Sequence, residues 1–119
     1  MKTHSKRILI IEDDNDISEI VKHMLENDGF NVCTHNSGLE VPEAVHYYQP
    51  HLILLDIQLP GKSGTEVCKE IKQLHSIPVI LFSAYTLQQN VYNNSEADAF
   101  IQKPFEIKDL LGTIKSFLN

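Results

Sequence analysis

Leu52-Ile53-Leu54-Leu55-Asp56 is a run of four aliphatic residues that ends without transition in an acid. Nothing polar alternates within it, so neither face of the segment suits water. That is the pattern of a strand buried on both faces of a parallel sheet. A turn sequence follows, Leu59-Pro60-Gly61-Lys62-Ser63-Gly64, and then Val67, Ile71 and Leu74 recur at helical spacing. A strand of this kind needs similar strands beside it, and the chain supplies them. Arg7-Ile8-Leu9-Ile10-Ile11 is one, ending in Glu12-Asp13-Asp14; Pro78-Val79-Ile80-Leu81-Phe82 is another, ending at Ser83. Phe30 to Thr34 and Ala99-Phe100-Ile101 read as two more, the latter ending at Gln102-Lys103-Pro104.

Amphipathic segments separate these strands. Ile17, Ile20, Val21, Met24 and Leu25 mark a first helix, with Gly29 placed to close it. Pro42 suits the first turn of a short helix that runs to about Tyr48. Ile107, Leu110, Leu111, Ile114, Phe117 and Leu118 form one stripe on a last helix. Tyr85 to Glu96 holds Gln88, Gln89, Asn90, Asn93 and Asn94 with thin apolar periodicity, and is read as a short or frayed fourth helix. Five strands alternating with five helices predict a doubly wound α/β domain, a parallel sheet with right-handed crossovers and helices on both faces.

At 119 residues, 42% hydrophobic and 22% charged, the chain is expected to form one domain over 1–119, with no output domain of its own. No apolar run approaches the roughly 20 residues of a membrane span. The polar start, Met1 to Arg7, is unlike a signal peptide, so a cytoplasmic location is expected. Cys33 and Cys68 show no metal or redox spacing and are read as two reduced, partly buried thiols. The net charge of −6 argues against direct nucleic-acid binding. The six histidines are scattered and are read as surface or structural residues.

Ligands of open parallel sheets bind beyond the carboxyl ends of the strands. Glu12 and Asp13 stand there after the first strand, Asp56 after the third, Ser83 after the fourth and Lys103 after the fifth. Clustered carboxylates repel one another, and a hard divalent cation such as Mg²⁺ relieves that repulsion. A carboxylate can also act as nucleophile and carry phosphate as a mixed anhydride. Phosphoryl transfer needs in-line positioning and positive charge around the equatorial oxygens, which Mg²⁺, Lys103 and the Ser83 hydroxyl would supply. Each residue alone has an ordinary reading: Asp14 or Ser83 as a helix cap, Lys103 as a surface lysine. Their convergence on one sheet edge favours the functional reading.

These residues resemble the response-regulator receiver family over essentially the whole chain. The marks are Glu12-Asp13, the segment from Leu54 to Gly64, Ser83-Ala84, and the segment from Ala97 to Phe105. The resemblance implies a CheY-like, flavodoxin-like (βα)5 fold with strand order 2-1-3-4-5. It implies Asp56 as phosphoacceptor and Glu12 with Asp13 as metal-binding pair, with the Gln58 backbone carbonyl as a further metal ligand. Ser83 would be the switch hydroxyl, Lys103 the phosphate-pairing amine, and Phe100 the switch aromatic. Small Ala84 leaves access to Asp56, and Lys103-Pro104 is expected to be cis. The implied partners are a sensor histidine kinase or phosphotransfer protein and a downstream effector at the face of helix four, strand five and helix five, near Tyr92 and Phe100. Gln58 and Tyr85 flank the site and would tune the phosphoryl lifetime. A homodimer is left open. The family is not an enzyme class: it assists only its own phosphorylation and dephosphorylation.

Departures are Glu96 where the family usually has Gly, a slightly short span from Ser83 to Lys103, and Pro42 in the second helix. A flavin-binding reading fares worse, because Glu12-Asp13-Asp14 would repel a flavin phosphate. An aspartyl hydrolase commonly has a second acid two residues after its nucleophile, where this chain has Gln58. A receiver used only for docking would have lost an acid, the lysine or the hydroxyl, and none is lost.

Overall fold

The computed structural model describes residues 6–84 and 94–118. Its elements are β1 (Arg7–Ile11), α1 (Asn15–Asn27), β2 (Asn31–His35), α2 (Val41–Tyr48), β3 (Leu52–Asp56), α3 (Gly64–Leu74), β4 (Val79–Ser83), β5 (Ala99–Gln102) and α4 (Ile107–Leu118). The strands form one parallel sheet in the order β2-β1-β3-β4-β5. Four helices lie among the described residues, against five expected. The fourth expected helix falls on Tyr85 to Glu96, of which only residues 94–96 are described.

Apolar side chains of the central strands divide by alternation, as the pleat requires. Ile8, Ile10, Leu52, Leu54, Ile80 and Phe82 pack on one face with Val21 and Leu25 of α1 and Leu110 and Ile114 of α4. Leu9, Ile11, Ile53, Leu55, Val79 and Leu81 pack on the other with Val41 and Val45 of α2 and Val67, Cys68 and Ile71 of α3. Covering both faces is what makes the strand sequences continuously apolar. Each such fully buried side chain contributes roughly 1.5–3 kcal/mol relative to exposure.

Several boundaries and faces differ from expectation. β2 begins at Asn31: the Phe30 N–H donates to the Leu25 carbonyl at 3.2 Å and so closes α1 before the ladder starts. β4 runs from Val79, because Pro78 has no N–H to give, and extends to Ser83; β5 extends to Gln102. The buried face of α1 is centred on Ser18, Val21 and Leu25, so Ile20 and Met24 lie on its flank, 54% and 39% exposed. Leu74, expected on the apolar face of α3, is the helix's last residue, with no following turn to cover it, and is 66% exposed. Cys33 is exposed and only Cys68 is buried; both thiols are free. Gly29 stands just past α1 with φ of 98°, and Pro42 lies in the first turn of α2.

Candidate functional site

β1 has β2 on one side and β3 on the other, so the crevice between connections that leave in opposite directions opens at the carboxyl ends of β1 and β3. Asp56 is the last residue of β3 and is buried. Glu12 directly follows β1; its N–H donates to the His35 carbonyl at 2.9 Å, which carries the β1–β2 ladder one step past the strand. Its side chain is thereby turned into the crevice and is buried. Asp13 beside it is exposed. Oxygens of Glu12, Asp13 and Asp56 all lie within 4.8 Å of one another.

Lys103 enters from the far strand. Its N–H donates to the Ser83 carbonyl at 2.7 Å, which extends the β4–β5 pairing and fixes the root of the side chain. The ammonium donates to Glu12 Oε1 at 2.8 Å and lies 3.7 Å from Asp56 Oδ2. It also sits 4.6 Å from the centroid of the Phe82 ring. The Lys103-Pro104 peptide is cis, as the resemblance implied. Burial pushes the Glu12 carboxyl above its ordinary pKa; Lys103 and the Asp14 N–H pull it back, and neighbouring Asp56 adds to the rise.

The loops hold these groups by specific local bonds. Glu12 Oε2 accepts the Asp14 N–H at 3.0 Å. Asp14 in turn caps α1, its Oδ1 accepting from Asp16 and Ile17, so its ordinary reading is the right one. After Asp56, Ser63 caps α3 through a reciprocal bond pair with Glu66. Gly64 donates to the Ile57 carbonyl at 2.7 Å, and a Cβ on it would stand 2.1 Å from the Asp56 carbonyl oxygen. Only glycine lets α3 begin that close to the acid-bearing strand. The Gln58 N–H lies 3.4 Å from Asp56 Oδ1.

The structure therefore brings Glu12, Asp13, Asp56 and Lys103 together. Ser83 ends β4, 1% exposed. Leu81 pairs with Phe100, so Ser83, two residues further along, shares the face of Phe100. Phe100 packs, partly buried, against the core beneath α2 and α3. Tyr85 and Tyr92 lie outside the described residues. Two relationships were not foreseen: Glu12 as the direct partner of Lys103, and the Phe82 ring under the ammonium. An aromatic at the last apolar position of β4 was the only available signal for the second.

Three clustered carboxylates are hard oxygen donors that suit Mg²⁺, and their mutual repulsion is the kind a divalent cation relieves. Mg²⁺ thus fits the residues present.

A family model described as the response regulator receiver domain matches residues 8–115. The chain is 32% identical over 121 aligned positions to the DNA-binding response regulator MtrA of Mycobacterium bovis, covering 100% of this chain and 53% of that protein. It thus spans about half the length of that relative. Among solved structures, the BeF3-activated N-terminal receiver domain of Klebsiella pneumoniae RstA superposes with a TM-score of 0.90 at 25% identity, covering 96% of this chain and 99% of that one. A CheY-like response regulator receiver domain protein from Methanospirillum hungatei JF-1 gives 0.89 at 34% identity, with 97% and 94% covered.

Proposed function

Because the chain belongs to the response regulator receiver domain family, we propose that it is the phosphoacceptor switch of a two-component phosphorelay, with Asp56 as the residue phosphorylated. The observation that carries this is the pairing of a buried Asp56 with a lysine ammonium 3.7 Å away and two further acids within 4.8 Å. Acids and a cation concentrated at the crevice of a parallel sheet suit metal-assisted phosphoryl transfer.

The donor is a phosphohistidine on a sensor histidine kinase or phosphotransfer protein. An Asp56 carboxylate oxygen bonds to phosphorus as the P–N bond breaks, and the imidazole nitrogen keeps the bonding pair. Asp13 and Asp56, with Glu12 and the Gln58 backbone carbonyl, would hold Mg²⁺, which would supply neutralising charge to the phosphoryl oxygens. Lys103 leaves Glu12 for those oxygens. The Ser83 hydroxyl turns toward them, and Phe100 moves into the space released on their shared face. Phosphorylation biases a two-state equilibrium toward the form that holds the phosphoryl group better. A downstream effector reads the altered surface around β5 and α4.

The chain turns over no separate substrate in this scheme, acts in the cytoplasm where its donor is, and takes no nucleic-acid contact of its own. No described helix is long and apolar enough to cross a membrane. Incubation with Mg²⁺ and acetyl phosphate, followed by intact-mass spectrometry beside Asp56→Asn, tests the reading. One added phosphoryl group in the wild type alone, abolished by chelator, is expected. Equal gain in Asp56→Asn overturns the site, and no gain from either acetyl phosphate or a phosphorylated kinase overturns the function.

A further inference from the structure

The Lys103 ammonium rests on an aromatic face. Its distance of 4.6 Å from the Phe82 centroid is inside the roughly 6 Å over which a ring quadrupole attracts a cation. Phe82 is 1% exposed, and its ring meets Phe105 edge-on, with centroids 6.2 Å apart and planes at 65°. A second aromatic therefore helps set the orientation of the ring. The lysine side chain is only 17% exposed, so hydration competes weakly with the ring. Lys103 and Ser83 are joined by a backbone hydrogen bond of 2.7 Å, which ties the lysine to the residue that follows Phe82.

We propose that Phe82 is a positioning residue for Lys103: its ring carries the ammonium as it passes from Glu12 to a phosphoryl group on Asp56. This deepens the phosphoacceptor reading and rests on it. The bond from Lys103 to Glu12 Oε1, at 2.8 Å, is directional and must break for the lysine to engage phosphate. Attraction to a ring face is spread over the whole face, so it persists while the ammonium slides. An aliphatic side chain in the same place would support the lysine stem but give the charge nothing to move across.

The test combines proton NMR of Lys103 with the rate of phosphorylation by acetyl phosphate and Mg²⁺, followed by intact mass. The wild-type ε-methylene protons of Lys103 should resonate upfield of the other lysines through the ring current. Phe82→Leu should remove that displacement and slow phosphorylation about three- to tenfold, with Mg²⁺ affinity unchanged. Phe82→Tyr should keep both. Leu81→Val, a core change on the opposite sheet face, should keep the wild-type rate. An unchanged rate in Phe82→Leu, or equal slowing in Leu81→Val, overturns the role of Phe82. So do wild-type ε-methylene protons lying with the other lysines, a reading that needs no variant to fold. A wild type that accepts no phosphoryl group fails the phosphoacceptor reading and takes the proposal with it. Acceptance without an upfield shift fails the proposal alone.

Discussion

Glu12 and Lys103 meet across the carboxyl edge of the sheet, Oε1 to Nζ at 2.8 Å, with their side chains 1% and 17% exposed. The two residues stand 91 positions apart in the chain, so the pair ties the start of the fold to its end. Breaking a pair this buried leaves a carboxylate without its counter-ion. Lys103→Met is expected to destabilise the Mg²⁺-free protein by about 1–3 kcal/mol. Adding Glu12→Gln to it should restore part of that loss. Urea unfolding of the two single variants and the double variant measures the coupling; strictly additive losses would show that the pair contributes nothing.

Glu12 and Asp13 are expected to differ as metal ligands. Both Glu12 oxygens are engaged, one by Lys103 and one by the Asp14 N–H, whereas Asp13 is exposed. Asp13→Asn should therefore weaken Mg²⁺ binding about tenfold or more, and Glu12→Gln less. A ligand at about 100 times its Kd stabilises the fold by about 2.7 kcal/mol. At the same Mg²⁺ concentration a tenfold weaker site keeps only about 1.4 kcal/mol, so Mg²⁺ should raise the melting temperature of Asp13→Asn about half as much as that of the wild type, or less. Calorimetric titration and thermal melts check both, and a larger loss in Glu12→Gln reverses the assignment.

Much of this site is legible in the sequence because strand ends are legible. Abrupt changes from aliphatic to acidic or hydroxyl residues at Ile11-Glu12, Leu55-Asp56 and Phe82-Ser83 mark where the sheet stops, and parallel strands put those stops on one edge. Which partner each group chooses is not legible, because it depends on side-chain reach across strands. Glu12 bonds Lys103 because the long lysine side chain reaches from the end of β5 past β4 to meet it over Asp56, and nothing local says so. Phe82 reads as one more apolar strand residue until register assigns it to the α1–α4 face beneath Lys103. Ile20 and Met24 show the converse error: the apolar stripe of α1 is wider than the surface the sheet offers it.

Glu96 explains a departure from the family pattern. It stands where Gly is usual and has φ of 66°, in the left-handed region that side chains with a Cβ disfavour. The side chain is exposed, so replacing it removes little packing. Glu96→Gly is expected to stabilise the protein by about 0.5–1 kcal/mol, the relief of strain exceeding the extra entropy of glycine in the unfolded chain. The melting temperature should rise by roughly 2–5 °C. A lower melting temperature for Glu96→Gly contradicts this. Glu96→Ala, which keeps the Cβ, should show no gain.

The two thiols separate by burial. Cys68, on α3 beneath the sheet, is fully buried, and burial pushes its thiol up to about 12, with Asp98 and Glu96 adding to the rise and Lys72 opposing it. Cys33 on β2 is exposed. A thiol reacts as its thiolate, so the native protein at pH 8 should release one equivalent of thionitrobenzoate from Ellman's reagent, and two in denaturant. The unfolded chain loses the Cys68 proton near 9, the folded chain near 12. Between those values the folded state binds more protons, so stability must fall as pH rises through that window. Cys68→Ala should flatten this alkaline decline even though it costs stability at neutral pH through the cavity it leaves. Two native equivalents at pH 8, or an alkaline decline unchanged in Cys68→Ala, would place the thiol in contact with water and contradict its burial against Val67 and Ile71.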